Sequence, residues 1–386
     1  MSRAPRFSSR LALLAWIGMV SVGLASEPTA PPPSSAPKAK PRSYFGDGFG
    51  AGVAYSPNGR ALAAGKGDGT VWLGRGDEGE LGLGRSIGVA DPQFSTYRMG
   101  PGPIRFSADG AILVAGNFLD GIDSRDHRRV GLDAIRAWDV ASGRVVATAQ
   151  LDGLGRTFAI TPDGRTIRAS VRKGRASEQV QSWDLATGRP LGAVGVAGPG
   201  VQQAAFSPDA SLLAVARPGS PTVAIHEAAT GRVLAELSDI AAKGEARPAV
   251  DVLFSPDGRT LGVVRAGNLV QLWDVGSKAV RASIAPPSDD APTFPYQMAF
   301  SGDGRRLILL GAFPIRHRPG ETAFDARAIL IDAASGNREA TIEGMSLARG
   351  DLALSPDGRR LAIAGIGFSG TIPVGPLSTW DLPPGR

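Results

Sequence analysis

Chemistry at a protein site needs several side chains to converge, and this sequence offers few candidates. It has no Cys and three His, at His127, His226 and His317. Disulfides, thiolate metal sites and a Cys nucleophile are thereby excluded, and a catalytic triad or a His metal cluster has little to draw on. Asp120, Asp123 and Asp126 recur at every third residue in DGIDSRDHRR, a spacing that invites a calcium loop. The EF-hand spacing and its closing Glu are missing, however, and Arg125, Arg128 and Arg129 stand among the acids to neutralise them. Gly74, Gly76 and Gly79 spell GxGxxG, yet GELGLG follows in place of an amphipathic helix, so no helix dipole would face a pyrophosphate. Arg75-Gly76-Asp77 is three common residues inside the same glycine-rich loop. There is no GxSxG, Walker or zinc-protease motif. The expectation is no cofactor and no metal.

The elements that would have to position any site are rich in turns. The 386 residues include 52 Gly and 30 Pro, which excludes coiled coils, long helical bundles and polytopic membrane proteins. Hydrophobic residues supply 42% and charged residues 20%, enough for a buried core and too balanced for general disorder. Arg3, Arg6 and Arg10 precede the uncharged run Leu11 to Ala25, which ends Gly23-Leu24-Ala25. That pattern fits a secretory signal peptide over residues 1–25, too short for a membrane span and, without Cys, unable to be a lipoprotein anchor. Residues 26–42 are dense in Pro, Ala and Ser and read as an extended spacer. Cleavage would lower the formal charge of +6 to about +3, too small an excess to argue for nucleic acid.

The remainder, residues 43–386, is a repeat. One phrase recurs as AYSPNGR, RFSADGA, AITPDGR, AFSPDAS, LFSPDGR, AFSGDGR and ALSPDGR, its acidic or amide residue falling at Asn58, Asp109, Asp163, Asp209, Asp257, Asp303 and Asp357. The period is 46 to 54 residues. In each copy an apolar strand ends at Ser or Thr, Pro presets φ for a type I turn, Asp favours the next position and Gly accepts positive φ, so the chain returns as a hairpin. A second phrase, AWDVASGR, SWDLATGR, HEAATGR or LWDVGSK, ends a third strand and turns on Thr-Gly or Ser-Gly into a fourth. Each repeat is thus expected to be a four-stranded antiparallel meander, none able to bury both faces alone.

These paired phrases resemble the WD-repeat β-propeller family over nearly all of residues 43–386. The resemblance implies an all-β fold, a seven-bladed β-propeller of four-stranded antiparallel blades around a central channel. It implies inter-blade packing by Trp138, Trp183, Trp273 and Trp380, with His226, Ile331 and Gly74 as substitutes and Trp72 filling similar space from two residues earlier. The acidic position carries Asp139, Asp184, Glu227, Asp274, Asp332 and Asp381. Periplasmic Tol-system propellers share the SPDG turns, but the WD and TGR phrases favour the WD-repeat reading. The family's Gly-His pair, whose His joins a Ser, Trp and Asp hydrogen-bond network, is absent, so the blades are expected to rely on apolar stacking. The last repeat stops at Trp380-Asp381-Leu382 with three strands, and residues near Pro41 to Gly48 are expected to supply the fourth.

In such a fold the loops joining strands two and three share one rim with those joining successive blades. On that rim the resemblance places Arg125, Arg128, Arg129, Arg172, Lys173, Arg175, Arg316 and Arg318, together with Tyr97, Phe118 and Phe313. Arg and aromatic side chains dominate binding hot spots, so this rim is expected to recognise an acidic or extended protein partner. The reading is an exported, monomeric, non-enzymatic scaffold in the periplasm or outside the cell, with no membrane span after cleavage and no nucleic-acid role. The competing reading is an extracytoplasmic hydrolase or lyase with a metal at the channel mouth, against which the scarcity of His and lack of Cys both argue.

Overall fold

Strands account for all the regular structure among the described residues, and they fall into meanders at the spacing of the turn phrase. A computed structural model describes residues 43–66, 68–76, 84–88, 101–121, 129–173, 177–196, 198, 200–238, 247–285, 297–315, 323–345, 349–366 and 375–384. All lie within one compact unit, Ala36–Arg386. The first blade uses the later half of β1 (Ser43–Tyr55), then β2 (Ala61–Lys66), β3 (Val71–Arg75) and β4 (Arg85–Ile87). The second comprises β5 (Pro101–Phe106), β6 (Ile112–Gly121), β7 (Arg129–Asp139) and the start of β8 (Val145–Ile160). The rest of β8 opens the third, with β9 (Thr166–Lys173), β10 (Ser177–Asp184) and β11 (Pro190–Val196). The fourth holds β12 (Gln203–Phe206), β13 (Leu212–Ala216), β14 (Thr222–Glu227) and β15 (Val233–Ser238), and the fifth β16 (Ala249–Phe254), β17 (Thr260–Arg265), β18 (Val270–Asp274) and β19 (Ala279–Ile284). The sixth has β20 (Gln297–Phe300), β21 (Arg306–Ile315), β22 (Ala323–Asp332) and β23 (Arg338–Met345), and the last β24 (Arg349–Leu354), β25 (Arg360–Ile366) and β26 (Gly375–Asp381).

The last blade takes its fourth strand from the start of the propeller. Ser43, Tyr44, Phe45 and Phe49 of β1 pair antiparallel with Thr379, Ser378, Leu377 and Gly375 of β26, and the same strand continues as the innermost strand of the first blade. This is the closure expected from the sequence. The innermost strands β1, β5, β8, β12, β16, β20 and β24 each pack against the next, and β24 packs against β1. Apolar burial follows the same circle, because each of the seven hydrophobic clusters joins two neighbouring blades, including the last and the first.

The turns show why the phrase repeats. In the second blade the Asp109 carboxylate accepts bonds from the Ser107 hydroxyl and the Ala111 amide, the Gly110 amide donates to the Ser107 carbonyl, and Gly110 takes a φ of 73°. The side-chain pairing of Ser or Thr with the residue two later recurs in the other six turns. Each turn satisfies its polar groups locally, so the hairpin needs no help from a neighbour. Ala210 occupies the Gly position of one turn at a φ of 56°, a strained conformation for a residue with a Cβ.

Trp138, Trp183, Trp273 and Trp380 lie buried in the clusters between their own blade and the preceding one. Ile331 fills the same place in the sixth blade. In the first, the Trp72 ring lies over Gly74 and Gly84, where an added Cβ would fall 2.1 and 1.9 Å from ring atoms. Phe49 meets that ring edge-on, with centroids 6.1 Å apart. Asp139, Asp184, Asp274 and Asp332 each accept bonds from the amide and hydroxyl of the Ser or Thr three residues on, holding the second turn. These bonds also hold all four carboxyls below the usual range. The missing Gly-His network has a visible cost, since the buried indole N–H groups of Trp138 and Trp380 find no acceptor among the described residues. Trp273 instead donates to Gln271 Oε1 at 3.3 Å.

Candidate functional site

Two regions of the disc carry polar side chains that the turns and blade contacts do not use: the rim of the long hairpins and the central channel. The rim owes its relief to strand length. β6 and β7 remain paired out to Gly121 and Arg129, and β21 and β22 out to Ile315 and Ala323, whereas β13 and β17 turn back after five or six residues. Phe118 pairs in backbone register with Leu132, and Phe313 with Asp325. Arg129 sits at the end of the first extension. Arg172 and Lys173 close the β9–β10 ladder opposite Glu178 and Ser177. Arg125, Arg128, Arg175, Arg316, Arg318, Tyr97, His127 and His317 lie outside the described residues, as does the Asp123–Asp126 segment.

Arg172 and Lys173 have acidic neighbours. Lys173 Nζ pairs with Asp152 Oδ2 across exposed surface, a contact worth little in water. Beneath it Glu178 is buried, which pushes its carboxyl pKa up. Ser170 donates to Oε1 at 2.5 Å, and Arg156 Nε lies 3.5 Å from Oε2. Arg156 also donates through Nη1 to the Gln202 carbonyl of the next blade, so this group clasps the third blade to the fourth. Arg172, half-buried nearby, contributes its field to the same carboxylate. His226 is wholly buried at a tryptophan position, its Nδ1 2.9 Å from the Gly231 carbonyl, and burial lowers its pKa. Among the described residues no group of three or more His, Asp or Glu is placed to hold a metal ion.

The channel is a cavity of about 1030 Å³ lined by the innermost strand of every blade. Aligned on the turn Ser or Thr, the position two residues earlier reads Ala54, Arg105, Ala159, Ala205, Leu253, Ala299 and Ala353. Six blades therefore put a small or apolar group there, and one puts a guanidinium. Arg105 reaches lumen water, yet protein surrounds it closely enough that burial lowers its pKa, opposed by the Asp351 charge. Two positions nearer the loop rim, the fifth and last blades present Asp251 and Asp351 to the channel. Asp351 accepts the Val53 amide at 3.1 Å and the Leu352 amide at 3.1 Å, adding a polar link across the closing seam. Asp251 accepts the Val252 amide of its own strand at 2.9 Å, and burial pushes its carboxyl up to about 7. None of the three was singled out by motif, because each is a single departure within its repeat; stacking the seven copies on the turn exposes them at once.

No family model and no curated protein sequence matches the chain. Many solved chains do resemble it in three dimensions, among them one in a crystal structure of a mitotic checkpoint complex, with a TM-score of 0.62 and 15% identity. The alignment covers 94% of this chain and 98% of that one. That likeness shows the fold alone. The architecture is a WD40-like β-propeller, and any role must be argued from its surfaces. No helix among the described residues is long and apolar enough to cross a membrane.

Proposed function

We propose that the chain is an exported, non-enzymatic propeller that acts as a scaffold, capturing an acidic or extended protein partner on its loop rim. The observation that carries this reading is the extension of the β6–β7 and β21–β22 hairpins beyond the length their neighbours need. A ladder prolonged past the disc adds little to the core but carries the chain out on a paired backbone frame, and recognition residues held on a rigid frame lose less entropy on binding than free ones. These extensions hold Phe118, Arg129 and Phe313 and lead to Arg125, Arg128, Arg316 and Arg318. The structural neighbour comes from a multiprotein complex, which is in keeping with an assembling role. Residues 1–25 direct export and residues 26–42 space the disc from that signal.

Capture by the purified chain, compared with a variant carrying Arg125→Glu, Arg128→Glu and Arg129→Glu, tests the rim. The expected outcome is loss of the partner with the melting temperature unchanged. Retention by the triple variant would place recognition elsewhere. Amino-terminal sequencing of exported protein should begin at Ser26.

A further inference from the structure

The channel holds charges that the fold does not need. At its level Arg105 replaces the Ala or Leu of the other six blades, and it donates through Nη1 to the Ile104 carbonyl of its own strand, at 2.8 Å. Asp251 is bonded to the next amide of its own strand, and no cation among the described residues lies within ion-pair distance of it. Neither group makes a hydrogen bond to another blade, although the Asp351 charge acts on Arg105 from the last one. A carboxylate taken part-way out of water without a matched partner opposes folding, so the fold alone gives no reason for Asp251, and the Ala of five other blades shows that the fold does not require Arg105.

Their placement has a direction. Arg105 belongs to the second blade and Asp251 to the fifth, so they stand on opposite walls of the lumen. Asp351, in the last blade, stands near enough for its field to act on Arg105, but its oxygens accept the Val53 and Leu352 amides and it makes no hydrogen bond to the guanidinium. The guanidinium therefore retains donors towards the lumen, and a ligand anion can be held there in a forked geometry. Opposite, the Asp251 carboxylate can accept a cationic donor. Between them the third and fourth blades present Ala159 and Ala205, which leave space beside the charges.

We propose that the channel binds an elongated amphoteric small molecule, its carboxylate or phosphate on Arg105 and its protonated amine on Asp251. This site is separate from the loop rim, so either can fail without the other. Binding should depend on ligand length as well as charge, because both ends must be reached at once.

The test is calorimetric titration of the purified full chain with ω-amino carboxylates from 4-aminobutanoate to 8-aminooctanoate, with hexylamine and hexanoate as single-ended controls. One length in the series should bind with unit stoichiometry, and each control at least about tenfold more weakly. Arg105→Ala, which installs the side chain that five other blades carry, and Asp251→Asn should each weaken that binding about tenfold or more while leaving the melting temperature unchanged or higher. The proposal is overturned if no member binds, if hexylamine or hexanoate alone binds as tightly, or if both variants bind like the parent chain. A melting temperature lowered by Arg105→Ala would assign Arg105 to the fold instead.

Discussion

At the scale of single residues, the Asp side chains of this protein divide by what their oxygens accept. Those of the turns are solvated and bonded to nearby amides and hydroxyls, which stabilise the charged form; Asp251 has one amide and little water. Burial raises its pKa from 3.8 to about 7. Between those values the folded chain keeps a proton that the unfolded chain has released, so stability falls as pH rises through that window and stays reduced above it. Asn cannot ionise. Asp251→Asn should therefore match the parent near pH 4 and exceed it at pH 8 by on the order of 1–2 kcal/mol, read from denaturation midpoints at the two pH values. An equal gain at both would assign the effect to packing. His226 has the opposite sign, because burial lowers its pKa and its contribution is lost as pH falls below the usual His range.

At the scale of elements, much was legible in advance. The SPDG and TGR turns stand in the sequence because local hydrogen bonds encode them, and the strands between them follow from apolar runs of the right length. Trp72 is recognisable as a displaced packing residue because two positions along a strand return to the same face; of the GxGxxG glycines, Gly74 makes room for its ring and Gly76 lies against the Gly59 and Ala61 carbonyls. The closing strand could be inferred from a last repeat one strand short. Less visible was the continuity of β1 and β8, each passing from one blade into the next without a break, because Gly46-Asp47-Gly48 in the one and Asp152-Gly153 in the other are residues that elsewhere make turns. Removing Ser43–Phe49 bares the edge of β26 and strips Phe49 from the cluster shared by the first and last blades. A chain beginning at Gly50 should lose about 3–5 kcal/mol, the scale of deleting one buried aromatic with its strand pairing, and should self-associate through the freed edge. Chemical denaturation and light scattering report the two effects.

At the scale of the whole molecule, a circle of blades differs from an open array because no blade is terminal. Each shares a hydrophobic cluster with both neighbours, so fraying has no preferred starting point other than the seam. Thermal unfolding should appear as one transition by both far-ultraviolet dichroism and tryptophan fluorescence, since the tryptophans sit in five of the seven interfaces. Two separated transitions would mean that some blades survive alone. Function was less legible than architecture for a related reason. Repetition announces the residues that every blade needs, while Arg105, Asp251 and Asp351 each occur in one or two blades and become conspicuous only when the copies are compared at equal depth in the channel.

The seam also sets an order of events. Ser43 leaves the ribosome long before its partner Thr379. At about 5–20 residues per second, some tens of seconds of synthesis separate the two. Throughout that interval the Ser43–Phe45 end of β1 lacks its β26 partner while the later half can already pair with β2, and the nascent chain carries an unsatisfied edge. The lock between the first and last blades therefore cannot close until β26 has been made.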